Sequence, residues 1–239
     1  MTSPIVQDPN DDFNRDYNKY IQDKKLYGDD LTELQNACAA LKAIKDAGAR
    51  LMYVVTVLFP ALMKTREANI GMLSDGMNVN TDMRNEMAKA QDAINDMKGK
   101  TTDQAAADAK QFVDAITNLQ VMVQKSSDAG IIDAQSASTL NNAIKGITDQ
   151  FPDGLDPGDV STLVPIWWGS TTSMPQIKNI FNGFQGVNQT VSALSTSTGT
   201  QFSFYTNQYN QVLNLYNTGF MKPINQQESA IIQNTSRSG

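Results

Sequence analysis

Histidine is absent from the 239 residues, and cysteine occurs once. Without imidazole there is no Ser-His-Asp or Cys-His nucleophile system and no His-ligated metal site. A single cysteine closes no intramolecular disulfide. Cys38, in Asn36-Ala37-Cys38-Ala39-Ala40, reads as a small buried hydrophobe on an apolar helix face. Basic clusters are also missing: Lys24-Lys25 is the only adjacent basic pair, and the net charge is -6. Nucleic acid and anionic lipid both call for clustered Lys and Arg, so neither is expected as a partner.

The usual marks of catalysis are lacking as well. The acidic residues are scattered over helix faces without a defensible pairing, and no Gly-rich phosphate loop follows a strand pattern. Asp153, Asp156 and Asp159 start like a calcium loop, but the spacing is wrong and Val164 stands where the bidentate Glu belongs. Neither an enzyme, a cofactor nor a metal site is expected. The first thirty residues have no apolar h-region, so the chain is expected to be cytosolic or exported without a Sec signal.

What remains is helical patterning. Residues 1–28, with Pro4, Pro9 and the Asp11-Asp12 pair, read as a mobile arm carrying at most a short helix around 13–26. A helix is predicted to begin near Asp30, with Asp29 or Asp30 as N-cap and Leu31, Leu34, Cys38, Leu41 and Ile44 on one face.

Residues 51–63 read LMYVVTVLFPALM, uncharged between Arg50 and Lys64. At 1.5 Å per residue the run covers about 20 Å, against about 30 Å of bilayer hydrocarbon. Stable membrane insertion is therefore not expected. Two readings stay open: a buried core segment, or an apolar surface (Val54, Val55, Leu58, Phe59, Leu62) that another subunit covers. Pro60 should kink the chain and push Phe59 out of the α region.

From 64 to 98 a helical period places Ile70, Leu73, Met77, Met83, Met87, Ala90, Ile94 and Met97 along one seam, with Asn80 in one gap, either setting register or lying at the surface. Arg66, Glu67, Asp82, Arg84, Glu86, Lys89 and Asp92 form the solvated face. Residues 99–175 make a middle region of two helices and a loop. One helix, capped by Thr102, buries Phe112, Ile116, Leu119 and Val123. The other, from about 133 to 151, buries Leu140, Ile144, Ile147 and Phe151. The Pro/Gly loop 152–175 carries Trp167 and Trp168, too apolar to be left in water, either tucked onto the helices or held at a surface interface.

Ser173-Met174-Pro175-Gln176 fits a capping box for a long C-terminal helix ending near Met221. Its stripe is Phe184, Val187, Val191, Leu194, Thr198, Phe202, Tyr205, Tyr209, Val212 and Tyr216, a heptad seam with one stutter near Thr198. Gly199 is expected to loosen the middle. Between Asn179 and Met221 there is no Asp, Glu, Lys or Arg. A solvated helix ordinarily carries mixed charge. A neutral polar face suits a helix whose outer side is packed against like copies or turned to a lumen.

This layout resembles the type III secretion filament proteins, the EspA and SseB group. VVTVLFPALMKTREANIGMLSDGMNVNTDMRNEMAKAQDAINDM, within 52–97, is similar to that family's first long helix, and VNQTVSALSTSTGTQFSFYTNQYNQVLNLYNTGF to its second. The resemblance implies a mainly α fold in which two long helices (within 29–98 and 176–239) form an antiparallel coiled coil around a helical, loop-rich middle insertion. It implies a secreted subunit on the bacterial cell surface, held in the cytoplasm by a type III chaperone before export. Such a subunit would polymerise into a hollow filament extending the needle, a conduit for translocators and effectors. Its partners would be itself, the chaperone, and needle and translocator proteins. The self-assembly seam expected on this reading is Leu73, Met77, Met87, Ile94, Phe202, Tyr205, Tyr209, Val212 and Tyr216. Two further readings are a needle-tip protein, which would share the export route but close as a small ring, and an α-helical pore-forming toxin using residues 51–63.

Overall fold

The computed structural model describes residues 11–97, 100, 102–151, 155 and 174–237, and among these every regular element is a helix. Helix α1 runs Asp11–Ala43, and α2 (Ala47–Tyr53) passes through a π-helical turn, Val54–Leu58, into α3, Phe59–Asp96. Helices α4 (Thr102–Ala129) and α5 (Ala134–Thr148) follow. Helix α6 (Met174–Leu215) then passes through a second π turn, Tyr216–Met221, into α7, Lys222–Arg237. The protein is mainly α.

The chain divides into two units, one of Met1–Asn18 with Asp75–Thr198 and the other of Lys19–Ser74 with Gly199–Gly239. The first holds the apolar core. Phe13 from α1, Met83, Met87, Ile94 and Met97 from α3, and Phe112, Ile116, Leu119 and Val123 from α4 are all buried in it. Leu140, Ile144 and Ile147 from α5 and Phe184, Val187 and Val191 from α6 complete it. Apart from the lone Phe13, each set recurs at steps of three, four or seven residues, which is what gathers it on one side of its helix. Phe112 is the hub, 5.8 Å from the Phe151 ring and 6.4 Å edge-on from Phe184.

Local chemistry fixes the ends of these helices. Gly130 has φ 74°, the left-handed region open to glycine, and terminates α4: Ile131 N–H donates to the Ser126 carbonyl at 2.9 Å and Gly130 N–H to that of Ser127 at 3.0 Å. Asp133 then caps α5, accepting from Ser136 N–H at 2.8 Å. Helices α5 and α6 pack antiparallel, and a Cβ on Gly183 would lie 2.9 Å from the Ala143 carbonyl and run into the Ile147 side chain.

The second unit is held differently. Here α1 and α3 run antiparallel, clasped by polar groups: Lys64 Nζ reaches Asp30 Oδ1 at 2.8 Å and Glu33 Oε2 at 3.1 Å. Thr65 Oγ1 donates to the carbonyl oxygens of Asp30 and Ala61. The hydrogen bond to Asp30 is the main cause holding the Lys64 ammonium above its ordinary pKa. Among the described residues its buried apolar side chains are Tyr20, Ala37, Val55, Ala61 and Ala68. Three of the five are alanines, so little apolar area leaves water here.

Several expectations are corrected. Residues 11–28 are not a mobile arm but the first turns of α1, anchored by Phe13 at 1% exposure and by Tyr20. Asp30 is therefore no N-cap; it sits mid-helix, buried against Lys64. The burial of these side chains outweighs the local cost of Gly28, about 1 kcal/mol for a helical glycine. Cys38 is exposed, not buried. Glu86 is buried rather than solvated, because Lys89 at 2.7 Å and the Asn118 amide at 2.9 Å pair it. Gly199 does not interrupt α6, and the C-terminal helix continues past 221 to Arg237. Residues 1–10, Trp167, Trp168, Ser173 of the capping box and the Asp153, Asp156 and Asp159 trio lie outside the described residues.

Pro60 does not break the helix. Phe59 stays in the α region (φ -63°, ψ -47°), and its N–H donates five residues back to the Val54 carbonyl. Proline lacks the N–H and crowds the carbonyl four residues before it. The wider π turn just ahead takes up that conflict. The same solution recurs at the other end of the sequence: Lys222 N–H donates to the Asn217 carbonyl, directly before Pro223.

Candidate assembly surface

The nine seam residues divide by unit. Met87 and Ile94 are at 2% and 0% exposure inside the first unit's core, already covered by the chain's own side chains. Met77, in the same unit, and Leu73 are half-buried. Phe202, Tyr205, Tyr209, Val212 and Tyr216 are all half-buried in the second unit. The α6 stripe thus changes character along its length, buried at Phe184, Val187 and Val191 and half-open from Leu194 onward.

Within the second unit, part of that stripe meets the apolar run. The Phe59 ring lies 5.7 Å from Tyr216 and 5.2 Å from Phe220. The Arg66 guanidinium sits 5.4 Å from the Tyr205 ring centroid, a cation–π contact. The two π turns are therefore neighbours, since Phe59 closes the first and Tyr216 and Phe220 belong to the second. A π turn costs helical regularity, and such turns collect at functional sites.

The apolar run itself is poorly covered. Val55 is buried, Val54, Leu58, Phe59 and Leu62 are half-buried, and Leu51 and Met52 stand 54% and 58% exposed. A buried core segment is thus not what forms. Ala47–Asp96 is the one helix among the described residues long and apolar enough to cross a membrane, and little of its most apolar window is covered. Further open side chains join it in the same unit: Val57, Phe204, Leu215, Ile224 and Ile231. Among the described residues, Val121 alone is an exposed large apolar side chain of the first unit.

Sequence periodicity passed over Phe204, Leu215 and the whole of α7. Phe204 and Leu215 lie off the best heptad stripe, so a search for one seam discards them. The available signal was that apolar residues off the seam stand in a segment with no charge to accompany them. Among the described residues no group of three or more acidic or cysteine side chains could hold a metal ion.

No protein-family model, curated protein or solved structure matches the chain.

Proposed function

We propose that this protein is a secreted structural subunit that polymerises into a hollow extracellular filament extending a type III secretion needle. The observation that carries this reading is the imbalance between the units. The first has a complete core, whereas the second leaves Leu51, Met52, Val57, Phe204, Leu215 and Ile224 in water. With 38–58% of its surface still exposed, each such side chain forgoes roughly half of the about 1.5–3 kcal/mol that full burial supplies, which a second copy could provide.

Two further features support it. The contacts of Phe59 with Tyr216 and Phe220, and of Arg66 with Tyr205, pair rising with falling residue numbers. That order is the one an antiparallel coiled coil of the two long helices would require. The neutral face of α6 suits stacking by symmetry, because a charge there would meet its own image in each neighbour. Before export a chaperone would cover the open apolar side chains. The filament contact is then made by the second unit, from the α6 stripe (Phe202, Tyr205, Tyr209, Val212, Tyr216) and the apolar run.

The test is a concentration series followed by sedimentation and negative-stain microscopy. Growth without a fixed upper size supports the filament. Arrest at one small ring replaces it with a needle-tip cap, and a monomer at every concentration sinks both. Dye release from liposomes would instead favour a pore-forming toxin. Tyr209→Asp should abolish fibres while leaving a soluble helical monomer, since a carboxylate on the half-open stripe must be desolvated at every contact.

A further inference from the structure

We infer that α7 of one copy docks in the groove between the end of α1 and the start of α2 on a second copy, head to tail. The inference rests on the filament reading and names the surfaces that meet. The groove belongs to the second unit, holds about 340 Å³, and is lined by Leu41, Lys42, Arg50, Leu51 and Val54. Its lining combines three aliphatic side chains with two cations. Arg50 spends one N–H on the Ile44 carbonyl. Among the described residues neither Lys42 nor Arg50 has a carboxylate within ion-pair distance, although Asp46 is close in sequence, its side chain accepting from Ala49 N–H to cap α2.

Helix α7 has the matching chemistry. Residues 222–231 are all exposed, Ile224 at 41% and Ile231 at 65%. Ile224, Glu228 and Ile231 follow at steps of four and three, which places them on one face over about 10 Å. An apolar–acidic–apolar stripe fits a groove lined by aliphatic side chains and cations. Glu228 is the only acidic residue of the chain after Pro175. It is thus the only carboxylate the C-terminal third can offer to Lys42 and Arg50. In the same unit both surfaces stay open, so the pairing needs a second copy. Because groove and stripe are different surfaces, every copy offers one of each, and the contact propagates wherever its rotation does not close a ring.

The experiment mixes two full-length variants, both in a Cys38→Ser background, one carrying Leu51→Cys and the other Ile224→Cys. A short bismaleimide is added at the concentration where the wild type assembles. The mixed cross-link should exceed both self-cross-links. Adding Glu228→Lys should raise the concentration needed for it about tenfold. Adding Lys42→Glu and Arg50→Glu on the other partner should restore it. Equal yields of mixed and self-cross-links overturn the pairing, and if fibres still grow, the filament reading survives without it. A strong mixed cross-link between copies that never form fibres upholds the pairing and removes the filament. Circular dichroism of each variant separates lost docking from lost folding.

Discussion

Two side chains of α3 work against the fold that holds them. Asp82 faces Asp12, Asp16 and Arg15 of α1, with Lys89 on its own helix; its Oδ2 is buried without a hydrogen-bond partner. Burial first, and then repulsion from Asp16 and Asp12, pushes its pKa to about 6 from 3.8. For a carboxyl whose folded pKa is raised, the folded state binds the extra proton. Stability therefore falls as the pH rises from about 4 to 6, and the cost is complete above that window. Asp82→Asn should stabilise the protein at pH 7 by on the order of 1 kcal/mol, discounted for solvent screening, and have no effect near pH 3. Denaturant titrations at the two pH values check this, and an equal gain at both refutes the charge as its cause. Asn80 is 0% exposed with neither its amide nitrogen nor its oxygen hydrogen-bonded. Asn80→Leu should raise stability by about 1–2 kcal/mol in the same titration, since a buried polar group without partners retains its full desolvation penalty.

At the scale of the element, glycines separate close packing from tolerance. A Cβ on Gly183 would meet the Ala143 backbone, which cannot rotate away, whereas on Gly71 it would meet only the Asp23 carboxylate, the end of a flexible side chain. Gly183→Ala should therefore cost about 1–3 kcal/mol. Gly71→Ala should cost little, because the better helix propensity of alanine offsets the displaced carboxylate. Thermal unfolding of the pair distinguishes them; equal losses would mean that α5 and α6 are not in close contact at Gly183. The helices of the first unit were legible in the sequence because large apolar residues at steps of three and four, such as Phe112, Ile116, Leu119 and Val123, turned out to be the buried ones. The first turns of α1 were legible only in part, as a short helix around 13–26 and not as the start of one reaching Ala43. Their anchors are few, Tyr20 and above all Phe13, stacked on Tyr17 at 5.8 Å and facing Lys125 far along the chain. Composition also misjudged Pro60, since rules for proline assume an α turn before it, and here the turn is π. Of the expected seam, Met87 and Ile94 had the right period but the wrong partner, because periodicity reports that a side chain is buried and not by which chain.

For the whole molecule, the open question posed by the sequence was why a helix of this length should discard charge. Helix α6 exposes Asn207, Asn210, Gln211 and Asn214, all neutral, beside a half-open apolar stripe. In a monomer with that face in water, charge would be harmless and would aid solubility. In a helical polymer any charge placed there recurs at every subunit, so the repulsion adds along the assembly while the monomer feels almost none. Asn207→Lys with Gln211→Lys should therefore leave monomer unfolding within about 0.5 kcal/mol of wild type, as exposed substitutions do. It should nonetheless prevent fibre growth at low ionic strength. Raising salt to about 1 M, where the screening length falls to about 3 Å, should bring the fibres back. Light scattering against salt concentration reads both halves of this expectation. Growth of the double-lysine protein at low salt would mean that the outer face of α6 looks onto solvent, leaving the neutral segment unexplained by packing. Failure to recover at high salt would place the two lysines inside a tightly packed contact, where shape rather than charge decides.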